Sequence, residues 1–188
     1  AYWIAQSTNV STSLPGFNPR ARQTIADVKT VATTLDAETT RLLVQQSSAA
    51  YRTQINDLLL SALTNVVSDW TAQQSILIQM EGHGREDLFS ALDTTRTVGW
   101  FTSVYPVKLT RAQDLATTIK SVKESLHTIP NKGIGYGVLR YLGTKENKTT
   151  LTQLPQPLIT FNYLGQFDQS FDDDALFKPA KGNSGSAT

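Results

Sequence analysis

The sequence S-I-L-I-Q-M-E-G-H-G-R-E, residues 75–86, joins an apolar segment directly to a dense group of polar side chains. Side chains alternate between the two faces of a strand, so a strand over 75–81 places Glu81 at its end, on the face that becomes polar. The two glycines that follow permit backbone angles closed to other residues. The pattern therefore predicts a strand that ends in a tight turn, at which Glu81, His83 and Arg85 lie close together. The opposite face of the strand is apolar: Ile76, Ile78 and Met80.

A second apolar strand is predicted over Phe101–Leu109, on the other side of this polar turn. Pro106 cannot donate a hydrogen bond to a neighbouring strand, so it marks an edge, a bulge or the point where pairing stops. Residues 87–100 between the two strands are expected to form a loop or a short helix.

Composition restricts the class of protein. Of the 188 residues, 39% are hydrophobic and only 18% are charged, which is typical of a globular chain. The formal net charge of +1 gives no basic field that would favour nucleic acid or a membrane surface. The absence of cysteine excludes disulfides, thiolate zinc sites and cysteine nucleophiles, and it is compatible with a reducing cytosol.

Three helices are predicted in the flanking sequence. Asp36 is a good N-cap, with Glu38 in the first turn, for a helix that runs to about Ser48. Apolar residues at helical spacing from about Thr53 to Trp70 leave only a narrow polar stripe, which indicates a largely buried helix packed against a sheet. A capping-box pattern at Thr110–Gln113 favours a third helix over 111–128.

The remaining segments have weaker patterns. Thr24–Leu35 is rich in β-branched residues and is interpreted as a strand. Leu158–Leu164 is also predicted to be a strand. Loops are predicted at the glycine-rich stretch 131–137, which would let backbones approach closely, and at the polar stretch 143–156. The aromatic start at Ala1–Ile4 suggests a chain cut from a longer one.

The turn after the first strand holds the strongest candidate for chemistry. One Glu near one Arg is usually a structural ion pair, but here two glycines, a carboxylate, an imidazole and a guanidinium crowd into six residues. Glu81 could act as a general base or acid. His83 is more simply a residue that fixes the turn. With two histidines and no paired ligand spacing, a metal site is not expected.

Four long motifs resemble, in the same order, the signature motifs of epimerization domains of nonribosomal peptide synthetases, which are members of the condensation-domain superfamily. They are E-G-H-G-R-E (81–86), R-T-V-G-W-F-T-S-V-Y-P-V-K-L (96–109), I-P-N-K-G-I-G-Y-G-V-L-R-Y (129–141) and F-N-Y-L-G-Q-F-D (161–168).

The resemblance implies an α/β fold of the α+β sandwich kind: a chloramphenicol-acetyltransferase-like half-domain with a central, mostly antiparallel or mixed sheet flanked by helices. Residues 1–168 resemble the C-terminal half, and 169–188 are expected to be an acidic and then low-complexity mobile tail. The N-terminal half of the family carries a His-His-x-x-x-Asp motif, which this sequence does not contain.

The implied reaction inverts the Cα of an aminoacyl or peptidyl thioester on the phosphopantetheine arm of a peptidyl carrier protein. Glu81 matches one member of the acid/base pair, and Arg85 matches a residue that would orient Glu81 or counter developing charge. Asn162 and Tyr163 match positions near the site, although neighbouring residues of a strand face opposite ways. The resemblance implies no intrinsic cofactor and no metal.

The resemblance also implies the partners and the setting of the reaction. These are the N-terminal half of the same domain, the carrier protein and the neighbouring synthetase modules, in the cytoplasm, with no nucleic acid and no membrane. We expect the 188 residues alone to be inactive, because the histidine motif is absent from them. Two alternatives are a non-catalytic docking or gating module of a megasynthase and an amide-forming condensation domain, against which R-T-V-G-W-F-T argues.

Overall fold

The computed structural model describes residues 1–22, 24–86, 88 and 93–165. The predictions for the tail 169–188, and for the last residues of the motif 161–168, lie outside this part of the chain, as does most of 87–92. The chain divides into two units. The larger contains Ala1–Phe17 and Leu35–Asn162, and the smaller contains Asn18–Thr34 and Tyr163–Thr188.

Three strands form the sheet of the larger unit, in the order β2-β1-β3. They are β1 (Ser75–Gly82), β2 (Ser103–Thr110) and β3 (Ile159–Phe161). β1 pairs antiparallel with β2 and parallel with β3, so the sheet is mixed. All three strands were predicted from sequence, with bounds that differ by a few residues.

Residues directly opposite each other in an antiparallel pair share a face. Ile78 lies opposite Val107, and both are fully buried. The hydrophobic core lies on this face of the sheet, between the strands and the helices that pack on them. Its strand residues are Ile76, Ile78, Met80, Tyr105, Val107 and Leu109, and the helical residues packed on them include Trp3, Leu60, Val67, Val122 and Tyr136.

Pro106 lies in β2, at an edge of the sheet, which is one of the three positions that the sequence allowed. The backbone N–H of Lys108 points outward and donates to the side-chain Oε1 of Gln6 at 2.8 Å. Pro106, two residues earlier, has its nitrogen on the same outward side, where the missing N–H costs no ladder bond. Gln6 belongs to α1 (Tyr2–Ser7).

The first two predicted helices are present. α2 (Ala37–Arg41) begins at Asp36, whose carboxylate accepts from Thr39 N, and it continues as a π-helical turn, Leu42–Gln46. α3 (Ile55–Thr71) is the longest helix of the described residues.

The burial of α3 corrects the prediction. Its stripe of polar residues faces inward, whereas Val66 and Trp70 are 66% and 54% exposed. Two of the buried polar residues bond within the helix: Ser61 and Thr64 each donate to the carbonyl four residues earlier, at 2.5 and 2.7 Å. Because their hydroxyls need no outside partner, they can be buried where close packing favours small residues.

The third helix, α4 (Leu115–His127), begins later than predicted. Its N-cap is Asp114, whose Oδ1 accepts from Thr117 N at 2.7 Å. The capping-box prediction at Thr110–Gln113 is therefore wrong, because Thr110 pairs with Ser75 as the last residue of β2. Strand pairing takes precedence over the local capping pattern.

Two predicted loops contain helical segments. In the glycine-rich stretch, the 3₁₀ turn Pro130–Gly133 has left-handed, non-helical backbone at Asn131 and Lys132 (φ +48° and +47°), as a loop would, and the helical part is α5 (Ile134–Gly137) with a π-helical turn (Val138–Leu142). The polar stretch contains α6 (Lys145–Gln153), capped by Thr144. The prediction of loops rested on glycine and polar content, which lowers helix propensity. α6 forms nevertheless, with its cap at Thr144 and with Leu151 buried.

The prediction of a strand over Thr24–Leu35 is also wrong. In the smaller unit, Thr24 and Asp27 cap a 3₁₀ turn, Ile25–Asp27, through a bond of 2.9 Å from Thr24 N to Asp27 Oδ2. Val31 is 94% exposed. β-branched residues favour strands through packing against neighbouring strands, and the described part of the chain offers this segment none.

Candidate active site

Glu81 is placed by the alternation of β1. It lies opposite Val104 on the face of the sheet that points away from the main core, while its neighbour Met80 enters that core. The Glu81 side chain is half-buried, and Val104 beside it is 37% exposed. The strand thus ends in a carboxylate that is partly exposed to solvent.

Asn162 holds this carboxylate. Its Nδ2 donates to Glu81 Oε2 at 2.9 Å, across the parallel pair of β1 and β3. One step inward on the same face, Gln79 Nε2 donates to Thr160 Oγ1 at 3.1 Å. The two strands are therefore joined by a row of side-chain hydrogen bonds. Within the described ranges, Oε2 is the Glu81 oxygen that accepts a hydrogen bond.

A second carboxylate, Glu86, organises the turn that follows. Its Oε1 is 2.9 Å from His83 Nε2, and its Oε2 is 2.9 Å from Lys132 Nζ. The Glu86 side chain is only 13% exposed. It also lies near Tyr105, whose pKa is raised first by burial and next by the negative charge of Glu86. Glu86 ties the turn to the 3₁₀ turn at Pro130–Gly133.

Arg85 points toward the loop before β2. Its Nη1 donates to the carbonyl of Thr94, its Nη2 donates to the carbonyl of Thr97 at 2.8 Å, and its Cζ lies 4.0 Å from the centre of the Phe101 ring. Among the described residues, no hydrogen bond or ion pair joins Arg85 to Glu81. Arg85 therefore clamps, that is, holds in place, the loop that contains Thr94 and Thr97. A direct role of Arg85 in catalysis stays a prediction.

Two glycines allow the close approaches that build the turn. Gly84 has φ +70°, and a Cβ there would lie 1.6 Å from the Phe101 carbonyl oxygen. Gly133 has φ +90°, and a Cβ there would lie 2.0 Å from the Tyr105 ring. The sequence interpretation expected two backbones to approach closely in the glycine-rich stretch, whereas at Gly133 the backbone approaches the side-chain ring of Tyr105. Gly135 and Gly137 have open space.

The predicted site residues are thus only partly brought together. Glu81 and Asn162 are in direct contact, and His83 is occupied by contacts that fix the turn, as expected of a structural residue. Tyr163 begins the second segment of the smaller unit and is half-buried. Within the described residues, no cluster of three His, Asp or Glu side chains could hold a metal ion.

Sequence reasoning missed Glu86 and Lys132 as site residues. The three-residue spacing of His83 and Glu86 was a usable signal, because side chains at that spacing can meet across one turn. No local spacing signals Lys132, which reaches Glu86 only through the fold. None of the helices in the described ranges has the length and apolar character needed to cross a bilayer.

Comparison with known proteins assigns the chain to a family. The sequence profile of the condensation domain matches residues 1–184. The chain belongs to the condensation domain family. Its curated relatives in that family include a linear gramicidin synthase protein of Brevibacillus parabrevis, which is 47% identical over 178 residues and 93% of the chain. A surfactin synthase protein of Bacillus subtilis (strain 168) is 41% identical over 174 residues and 91% of the chain.

Solved structures share the fold of this chain. The epimerization domain from the third module of tyrocidine synthetase B matches with a TM-score of 0.77 and 44% identity, over 88% of this chain and 38% of that one. The X-domain from teicoplanin biosynthesis matches with a TM-score of 0.61 at 20% identity, over 84% and 33%. The chain therefore has the chloramphenicol-acetyltransferase-like fold, and the resemblance to epimerization domains is confirmed.

The chain spans only a small part of its curated relatives: 3% of the gramicidin synthase protein and 5% of the surfactin synthase protein. Both relatives are subunits of synthases.

Proposed function

We propose that this chain is the C-terminal half of an epimerization domain. The complete domain would interconvert the L and D configurations at the Cα of an aminoacyl or peptidyl thioester held on the phosphopantetheine arm of a carrier protein. The observation that carries the proposal is the partly exposed Glu81 carboxylate at the end of β1, with one oxygen fixed by Asn162.

Inversion at Cα needs two proton-transfer groups, one on each face of the carbon. Glu81 would remove the Cα proton and leave an enolate, and an acid on the opposite face would return a proton to Cα. The histidines of this chain are His83 and His127, and neither belongs to a His-His pair. We therefore assign the second group to the rest of the domain, since this chain covers 38% of the solved epimerization domain it matches.

The contacts of Glu81 suit such a base. Asn162 fixes Oε2, so Oε1 can be aimed at a proton without loss of orientation. Positioned general bases contribute about 10²–10⁴-fold to rate. We propose no intrinsic cofactor, because the pantetheine arm belongs to the carrier, and we place the reaction in the cytoplasm together with neighbouring synthetase modules.

The test is Glu81→Gln in the complete domain, with its carrier protein loaded with an L-aminoacyl thioester. Gln keeps the shape and an acceptor for Asn162 but cannot take a proton, so we expect D/L interconversion to fall by about 10²–10⁴-fold. Chiral chromatography of the hydrolysed aminoacyl group measures this. Normal equilibration by the variant would contradict the role of Glu81.

Amide formation is the second candidate, because the profile that matches is that of the condensation domain. Supplying the complete domain with loaded donor and acceptor carriers distinguishes the two reactions. A dipeptidyl thioester without change of configuration would favour condensation. If the complete domain forms neither product, the result would favour a docking or gating module.

A further inference from the structure

We propose that Glu86 is a positioning residue for the candidate base. It locks the turn that follows Glu81 by holding His83 and Lys132 at once, and the orientation of Glu81 depends on that lock. The inference rests on the proposed function for its effect on catalysis, whereas the lock itself can be tested without any substrate.

The two oxygens of Glu86 have separate partners. Oε1 is 2.9 Å from His83 Nε2 within the same turn, and Oε2 is 2.9 Å from Lys132 Nζ on the 3₁₀ turn Pro130–Gly133. The Glu86 side chain is 13% exposed, whereas the side chains of His83 and Lys132 are 65% and 75% exposed, so the two contacts lie at the surface around a largely shielded carboxylate. Both carboxylate oxygens of Glu86 thus have a partner, whereas Glu81 accepts a hydrogen bond at Oε2.

The contacts of His83 are consistent with one tautomer of its ring, in which the proton is on the nitrogen that faces Glu86. The backbone N–H of Arg85 donates to His83 Nδ1 at 3.0 Å, so Nδ1 must be unprotonated. The ring proton is then on Nε2, which donates to Glu86 Oε1. Contacts therefore run from Glu86 Oε1 to His83 Nε2, and from His83 Nδ1 to the backbone N–H of Arg85, the residue before Glu86.

The far end of the Lys132 contact is itself fixed. Lys132 has φ +47°, and the next residue, Gly133, lies against the Tyr105 ring. Tyr105 is opposite Met80, the neighbour of Glu81 in β1. The ion pair therefore joins the turn to a segment that packs on β2, the strand that pairs with the Glu81 strand. Without it, the turn is held by the Arg85 clamp and by the packing at Gly84.

The activity experiment uses the complete domain and its loaded carrier protein. Glu86→Ala removes both contacts, and because a misplacement of about 1 Å at a reacting group can cost about 10²-fold, we expect kcat to fall by about that factor with KM unchanged. Glu86→Gln keeps an acceptor for His83 and loses the charge for Lys132, so its loss should be smaller. Lys132→Met should match Glu86→Gln, and Lys132→Arg should restore the rate.

The ion pair is tested by a double variant. If Glu86 and Lys132 act as a unit, Glu86→Gln combined with Lys132→Met costs no more than either change alone. Glu38→Gln is the matched control, because it removes a carboxylate that pairs with Arg41 on an exposed helix. We expect it to leave kcat unchanged.

Hydrogen–deuterium exchange of the same variants separates positioning from general loss of structure. Glu86→Ala should speed exchange in residues 82–86 and 130–133 while the core of β1, residues 76–80, stays protected. Unchanged exchange in the turn, a wild-type kcat, additive losses in the double variant, or loss of protection throughout β1 would each overturn the inference. A wild-type domain that fails to interconvert L and D substrates would overturn the proposed function instead. The exchange experiment would still test whether Glu86 holds the turn in place.

Discussion

A single hydrogen bond sets the direction of the Glu81 carboxylate. Asn162 Nδ2 donates to Oε2 at 2.9 Å, and hydrogen bonds to charged groups contribute about 1.5–3 kcal/mol. We expect Asn162→Ala in the complete domain to lower kcat for D/L interconversion by about tenfold or more, since each 1.4 kcal/mol is a factor of ten.

The neighbouring hydrogen bond supplies the control for this experiment. Thr160→Val removes the bond from Gln79 to Thr160, which is of the same kind, on the same two strands and one step further from the turn. Its kcat should stay near that of the wild type. Equal losses in Asn162→Ala and Thr160→Val would mean that the pairing of the strands, and not the orientation of Glu81, controls the rate.

Gly133 is a second residue whose identity the structure demands. A Cβ there would lie 2.0 Å from the Tyr105 ring, on a backbone with φ +90°. We expect Gly133→Ala to lower the free energy of unfolding of the complete domain by at least about 1–3 kcal/mol, measured by denaturant titration. Gly135→Ala, two residues on and in open space, should be neutral or stabilise by about 0.5–1 kcal/mol. Equal effects of the two substitutions would contradict this account of Gly133.

At the scale of secondary-structure elements, α4 depends on the charge state of its cap. Hydrogen bonds from the backbone N–H and then the hydroxyl of Thr117 lower the pKa of Asp114. A carboxyl whose pKa is lowered on folding stabilises the native state above its unfolded pKa of about 3.9, and the contribution is lost as the pH falls through the lower, native pKa.

Asp114→Asn tests this cap, because Asn also caps helices but does not titrate. We expect the variant to lose less stability than the wild type when thermal unfolding is compared between about pH 5 and pH 2. The same acid sensitivity in both proteins would show that Asp114 contributes nothing to it.

The elements also show which predictions sequence alone can support. β1 and the Asp36 cap follow from spacing and residue type over a few positions, and both are present. The inward polar face of α3 could not be predicted, because it depends on hydroxyls bonding their own helix. In the site, alternation predicts the position of Glu81, but the contact of Glu86 with Lys132 exists only once the helical segment after α4 lies beside the turn.

At the scale of the whole molecule, the 188 residues expose apolar surface. Val66 and Trp70 on α3 are 66% and 54% exposed, and Tyr141 and Leu142 are 67% and 79% exposed. Apolar patches of this kind usually mark an interaction surface. We expect the 188-residue chain by itself to self-associate, with a sedimentation coefficient that rises with concentration, and Trp70→Lys to weaken the association. Monomeric behaviour at all concentrations would contradict the expectation.

The parallel pairing of β1 with β3 has a consequence for the order of folding. The bond from Asn162 to Glu81 joins residues 81 positions apart, whereas β1 and β2 are consecutive strands of an antiparallel pair. Closing a longer loop costs more chain entropy, and distant pairings form more slowly. During synthesis from the N-terminus, β1 and β2 can pair while β3 is still being translated. A nascent chain that stalls before residue 159 would therefore carry Glu81 on the paired strands β1 and β2, but without the Asn162 side chain that orients its carboxylate.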